Sequence, residues 1–247
     1  MHIVTEDAHR IAIDHRKTGH PEVVVLAHGF YNNKDAYLFR AMAERLARDF
    51  DVVSFDFRGH GQSEGLFSWT SRECLDLKAV VSYARDQGYP RVGVIGFSLG
   101  AAIVLIEAGQ NRLIDSAMAV SAPCDFWKID FHFWEKEMLN DLRLNLGPKG
   151  KGKGIRPGNP FLPKVRPIDV VERISPTPVL FVHGAEDWLI KPSHSERLFK
   201  AAKEPKEIAV IPGAGHAEKI FDSHPDEFER ICVHWFQKTL QSQRVGG

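Results

Sequence analysis

The sequence predicts an α/β fold, a mostly parallel central sheet flanked by helices on both faces. Two observations carry this. Short apolar, β-branched runs alternate with stretches of helical periodicity along most of the chain. Several of those runs end in a turn containing glycine, where parallel strands of such sheets present their ligand-binding loops. A length of 247 residues suits one large domain of this class, so residues 1–247 are expected to form a single unit.

Ile11-Ala12-Ile13 reads as an early edge strand, and Val23–Ala27 as a buried strand ending at His28-Gly29. Ala36–Arg48 has helical spacing, with Leu38, Phe39, Met42 and Leu46 on one face. Val52–Phe57 is the next strand, closed by Arg58-Gly59-His60-Gly61. Ser71–Asp86 reads as an amphipathic helix with Leu75, Leu77, Val80, Val81 and Tyr83 as its core side. Val92–Ile95 is a strand and Ala101–Ile106 the body of a following helix. Ala117–Val120, Pro178–Val182 and Ile208–Ile211 are further strands. A last helix over Asp226–Leu240 turns Phe228, Ile231, Cys232, Trp235 and Phe236 inward.

The alternation breaks between Pro123 and Ile174. An aromatic piece comes first, with a short helix expected over Phe133–Leu144. A glycine- and lysine-rich run, Gly147–Gly154, and a proline-rich stretch through Pro167 follow. Residues 124–173 are read as a small cap inserted in the domain, too short for a confident core of its own.

Lysine plus arginine and aspartate plus glutamate both number 32, which offers no footprint for nucleic acid or an anionic membrane. The longest apolar stretches are strand-sized or carry charges, so no membrane span is expected. Residues 1–7 lack the basic and apolar regions of a signal peptide. The three cysteines, Cys74, Cys124 and Cys232, have neither disulfide-framework nor metal-site spacing. A cytoplasmic setting is expected, for a monomer or homodimer.

Gly96-Phe97-Ser98-Leu99-Gly100 lies between a strand and a helix. A serine on so sharp a turn has its hydroxyl lifted clear of the sheet at a helix N-terminus. Its nucleophilicity needs a base, and the base needs orienting. His216, in the glycine-rich loop after the last strand, is the base candidate; Asp187, after the penultimate strand, is the acid candidate. Glu186 is a rival acid, while His194, His224 and His234 are weaker bases in helix-like surroundings. The backbone N–H groups of Leu99 and Phe30 are the expected oxyanion donors. Phe126, Trp127, Phe131, Trp134 and Trp188 either line a substrate pocket or pack the cap onto the body. Arg58, His60 and Ser63 are read as structural, holding adjoining loops. The basic run Lys149, Lys151, Lys153, Arg156 and Lys164 is read as a solvated loop tip.

Six strand-ending motifs resemble the α/β-hydrolase superfamily: His28-Gly29-Phe30, Asp56–Ser63, Gly96–Gly100, Ser121-Ala122-Pro123, Gly184–Asp187 and Gly213–His216. The turn around Arg58 and the small insertion are most similar to its esterase, cinnamoyl-esterase and serine-aminopeptidase-like branch. The resemblance implies an α/β-hydrolase fold with Ser98, Asp187 and His216 in the family's chain order. It also implies hydrolysis of small to medium soluble esters, including aryl or hydroxycinnamoyl ones, through an acyl-enzyme and without metal or organic cofactor. Acyl-coenzyme A thioesters and aminopeptidase substrates are alternatives on the same triad. A non-catalytic receptor on this fold is a third.

Overall fold

The computed structural model describes residues 1–129, 139 and 154–241. The expected helix over Phe133–Leu144 and the Lys149–Lys153 run therefore lie outside the described residues, Leu139 apart.

Eight strands form one sheet: β1 His2–Val4, β2 Arg10–Arg16, β3 Val23–Ala27, β4 Asp51–Phe55, β5 Val92–Phe97, β6 Ser116–Val120, β7 Val179–Gly184 and β8 Lys206–Ile211. Their order is β1-β2-β4-β3-β5-β6-β7-β8. β1 and β2 pair antiparallel with their neighbours, and every pairing from β4 to β8 is parallel. The expected edge strand at Ile11-Ala12-Ile13 is thus second from the edge. His2–Val4 covers it, with His2 opposite Ala12. Three residues, none of them buried, give β1 too little pattern to read from sequence.

Strand pleating sends alternate side chains to opposite faces. On β3, Val23, Val25 and Ala27 join one core, and Val24 and Leu26 the other. β6 and β7 divide likewise: Ala117, Ala119, Val179 and Phe181 on the first face, Met118, Val120, Leu180 and Val182 on the second. The first core is closed by α2 (Glu73–Asp86), α3 (Leu99–Gln110) and Leu198 of α5 (Ser193–Ala201). The second is closed by α1 (Tyr37–Leu46) and α7 (Pro225–Phe236). Two short helices, α4 (Pro167–Val170) and α6 (Lys219–Ser223), complete the described helices of four or more α-turn residues. On α2, Leu75 and Tyr83 are only half-buried, and Asp76 and Glu73 are buried instead. α3 is buried from Gly100 to Gly109, which explains a run of apolar residues without a polar stripe. Among the described residues no helix is long and apolar enough to cross a membrane.

Candidate active site

β5 hands the chain to α3 at Ser98, whose φ of 51° and ψ of −112° are strained for a residue with a side chain. Glycines make that turn possible. A Cβ on Gly96 would lie 2.5 Å from the Gly100 carbonyl oxygen, and one on Gly100 would strike the carbonyl oxygens of Ala27 and His28. The Ser98 amide is pinned to Val120 O at 2.8 Å.

Two other strand ends converge on this serine. His216, in the loop after β8, places Nε2 at 2.9 Å from Ser98 Oγ. Its Nδ1 lies 2.8 Å from Asp187 Oδ2. The residues that sequence spacing singled out are therefore brought together in one hydrogen-bonded row. Glu186, the rival acid, points to solvent, whereas Asp187 is 2% exposed. His194 lies on α5, with Nδ1 accepting from the Cys124 amide at 3.1 Å.

Asp187 is held by more than His216. Oδ1 accepts from the amides of Leu189 and Ile190 at 3.0 and 2.8 Å. Burial pushes this carboxyl up. The charge of the facing His216, with hydrogen bonds from His183 and His216, overcomes burial and holds it well below the usual carboxylate range. The loop carrying His216 is tied to the end of β6, where Ala217 N donates to Ser121 Oγ at 3.0 Å. Both Ser121 and Ala217 have positive φ, 50° and 51°. The Ser121-Ala122-Pro123 motif thus has a positional part in the site.

On the other side of Ser98 runs the loop after β3. A Cβ on Gly29 would sit 3.3 Å from Ser98 Cβ, so this backbone packs directly on the serine. Leu99 opens α3 and Phe30 follows Gly29, which puts both expected oxyanion residues beside Ser98. The loop is fixed by buried polar contacts. His28 donates from Nδ1 to Gly29 O at 2.7 Å and accepts the Phe57 amide on Nε2 at 3.1 Å. Burial keeps this imidazole neutral by holding its pKa far below the ordinary value. Asp56 accepts from Lys34 N at 2.7 Å and Gln62 N at 2.8 Å, joining this loop to the next.

The turn at 58–63 is structural. Arg58, 2% exposed, forks onto Asp76 and Asp7 with its guanidinium. Ser63 donates to Asp56 O and receives Ala12 N at 2.8 Å. Arg156 also belongs here: its guanidinium donates to the carbonyls of Gly61 and Ser63. That departs from the expected solvated loop tip, because this arginine caps turn carbonyls left unpaired by the tight backbone.

The expected pocket aromatics are only partly placed. Phe126 and Trp188 are half-buried, Trp188 next to Asp187 in the chain. Phe131 and Trp134 and the side chain of Trp127 lie outside the described residues. Aromatics that sequence reading passed over, Tyr31, Phe67 and Trp69, gather on Phe30, the residue after the Gly29 that packs on Ser98. The Phe30 ring is 4.2 Å from Tyr31, 5.4 Å from Phe67 and 5.3 Å from Trp69. Trp69 has a φ of 58° and remains half-buried. The signal was the cluster Phe67-Ser68-Trp69, two aromatics in a loop without strand or helix period.

Comparison with known proteins agrees with this architecture. YfhR of Escherichia coli O157:H7, an uncharacterised protein, is 26% identical over 229 residues, spanning 89% of this chain and 72% of that protein. YqkD of Bacillus subtilis, also uncharacterised, is 28% identical over 238 residues, 90% of this chain and 70% of that one. The esterase Pf2001 of Pyrococcus furiosus superposes with a TM-score of 0.77 at 24% identity, covering 97% of this chain and 91% of its own. The α/β hydrolase GrgF of Penicillium sp. sh18 gives 0.80 at 16% identity, covering 97% of both chains. A family model described as "Alpha/beta hydrolase family" matches residues 24–231, most of the sheet and its helices, and the chain belongs to that family.

Proposed function

We propose that this protein is a serine carboxylic-ester hydrolase working through an acyl-enzyme. The observation that carries the reading is His216 bridging Ser98 Oγ at 2.9 Å and Asp187 Oδ2 at 2.8 Å. Ser98 Oγ attacks the ester carbonyl while His216 Nε2 takes its proton. Asp187 holds the Nδ1–H tautomer and stabilises the imidazolium that forms. The tetrahedral oxyanion is held by the N–H groups of Leu99 and Phe30, supported by the close approach of Gly29 to Ser98. His216 then gives its proton to the departing alkoxide. The same imidazole activates water, which releases the acid and restores Ser98.

We read Phe30, Tyr31 and Trp69, backed by the fully buried Phe67, as one wall of the acyl pocket and Trp188 and Phe126 as the other. This aromatic lining favours aryl or hydroxycinnamoyl esters of small to medium size.

The test is a panel of p-nitrophenyl esters and a hydroxycinnamate methyl ester, run on the wild type and Ser98→Ala together. Turnover that vanishes in Ser98→Ala, with Ser98 labelled by a fluorophosphonate, supports the reading. A folded wild type that turns over none of these esters and resists the label overturns it.

A further inference from the structure

The acid of the site touches a second histidine. His183 is the penultimate residue of β7 and is fully buried. Strand alternation places it on the side of Val179 and Phe181, where an apolar side chain is expected. An imidazole there must be fully partnered to be tolerated. Its Nε2 lies 2.7 Å from Ile190 O and 3.2 Å from Asp187 Oδ2. Its Nδ1 lies 2.6 Å from Ser195 Oγ on α5.

These contacts fix the tautomer. A carbonyl oxygen only accepts, so Nε2 carries the hydrogen, and neutral Nδ1 accepts from the Ser195 hydroxyl. The Nε2–H is then shared between Ile190 O and Asp187 Oδ2. Ile190 closes the ring, since its own N–H goes to Asp187 Oδ1 at 2.8 Å. Asp187 Oδ2 thus faces two imidazoles, with the shorter contact to His216 and the longer to His183.

We propose that His183 is a positioning residue: its shared Nε2–H locks the Asp187 carboxylate in the plane that orients His216 and draws off part of its negative charge. The proposal rests on the triad reading above. The lock has mechanical support at both ends, from Ser195 on α5 and from the backbone of Ile190. Its electrostatic effect has a definite sign. Without the second donor, more charge remains on Asp187, which favours the imidazolium of His216. The acidic limb of kcat/KM then moves to higher pH. Among the described residues His194 of α5 also acts on His183 and Asp187, and Arg197 acts on His194; both are the same in every variant compared.

The experiment measures p-nitrophenyl ester hydrolysis by His183→Leu, His183→Gln and Ser195→Ala, with pH profiles, melting curves and fluorophosphonate labelling. His183→Leu is expected to lose about 10- to 100-fold in kcat, with KM within about twofold and the acidic limb raised by about half a pH unit. His183→Gln returns an N–H near the position of Nε2 and is expected to recover most of that loss. A folded His183→Leu with wild-type kcat and an unmoved acidic limb overturns the proposal. So does a His183→Gln no better than His183→Leu. If His183→Leu does not fold, Ser195→Ala decides: a reduced kcat with a raised acidic limb supports the proposal, and a wild-type profile overturns it. Asp187→Asn separates this from the triad itself. Wild-type turnover in Asp187→Asn overturns both readings, whereas an inactive Asp187→Asn beside a fully active His183→Leu overturns only the role of His183.

Discussion

Asn32 and Glu218, 186 residues apart in the chain, meet through a buried hydrogen bond of 2.7 Å from Nδ2 to Oε1. The first belongs to the loop that carries Phe30, the second to the loop that carries His216. The bond therefore clasps the expected oxyanion donor and the expected base across Ser98. Misplacing a catalytic group by about an ångström costs as much as 100-fold in rate.

Glu218→Ala should accordingly lower kcat by about tenfold while KM changes little. It should also cost about 1–3 kcal/mol of stability by stranding a buried amide. Ester-hydrolysis kinetics and a urea titration read the two effects. An unchanged kcat would show that the loops are held without this bond.

The glycines make a sharper test. A methyl on Gly100 would collide with two backbone carbonyl oxygens, which have no rotamer to move away. Gly88 has a φ of +94° and open space around it, so Gly88→Ala meets strain alone. Gly88→Ala is expected to cost about 1 kcal/mol and keep full turnover. Gly100→Ala is expected to cost about 1–3 kcal/mol or more and to lose most of its activity, because the Ser98 turn shifts with it. Equal melting temperatures for the two variants would contradict the packing argument.

These contrasts show what the sequence makes legible. Val23–Ala27 and Val92–Phe97 announce themselves because buried parallel strands are apolar without interruption. Ser98 and Asp187 stand out because each follows such a strand in a short turn, and His216 because a glycine-rich turn follows the less buried edge strand Lys206–Ile211. His2–Val4 does not, since a three-residue edge strand depends on its partner β2 for its geometry. Nor does His183, whose part arises from a contact with Ser195 on a helix that sequence periodicity does not delimit. Arg156 is hidden for the same reason: its carbonyl partners at Gly61 and Ser63 become neighbours only in the fold.

Buried His60 gives a prediction in pH. Burial pushes its pKa from 6.5 down to about 4, and the nearby Arg156 adds to that. Its Nδ1 donates to Arg58 O at 3.1 Å, and its buried Nε2 has no hydrogen-bond partner among the described residues. Between these two values the unfolded chain binds the proton and the folded one does not. His60 therefore contributes stability that is fully present above about pH 6.5 and is lost as pH falls through about 4. The gap is worth on the order of 3 kcal/mol. Asp56, whose carboxyl is raised by burial, acts with the opposite sign, so the comparison must be differential. The stability of the wild type relative to His60→Phe is expected to fall steadily from pH 6.5 to 4. Parallel curves would mean that His60 takes up its proton in the folded state.

The two acidic residues after β7 offer the last contrast. Asp187 is buried, accepts from the amides of Leu189 and Ile190, and faces His216 at 2.8 Å. Glu186 is exposed. Asparagine at 187 has nearly the shape of the carboxylate, yet its amide can offer a hydrogen where His216 Nδ1–H requires an acceptor. The imidazole then settles in the other tautomer, with Nε2 protonated and unable to take the Ser98 proton. Asp187→Asn is expected to lose about 10⁴-fold in kcat with the fold intact. Glu186→Ala is expected to keep turnover within about twofold, as an exposed side chain outside the hydrogen-bonded row. Rates measured side by side on one p-nitrophenyl ester decide the matter, and a reversal of the two outcomes would transfer the acid's role to Glu186.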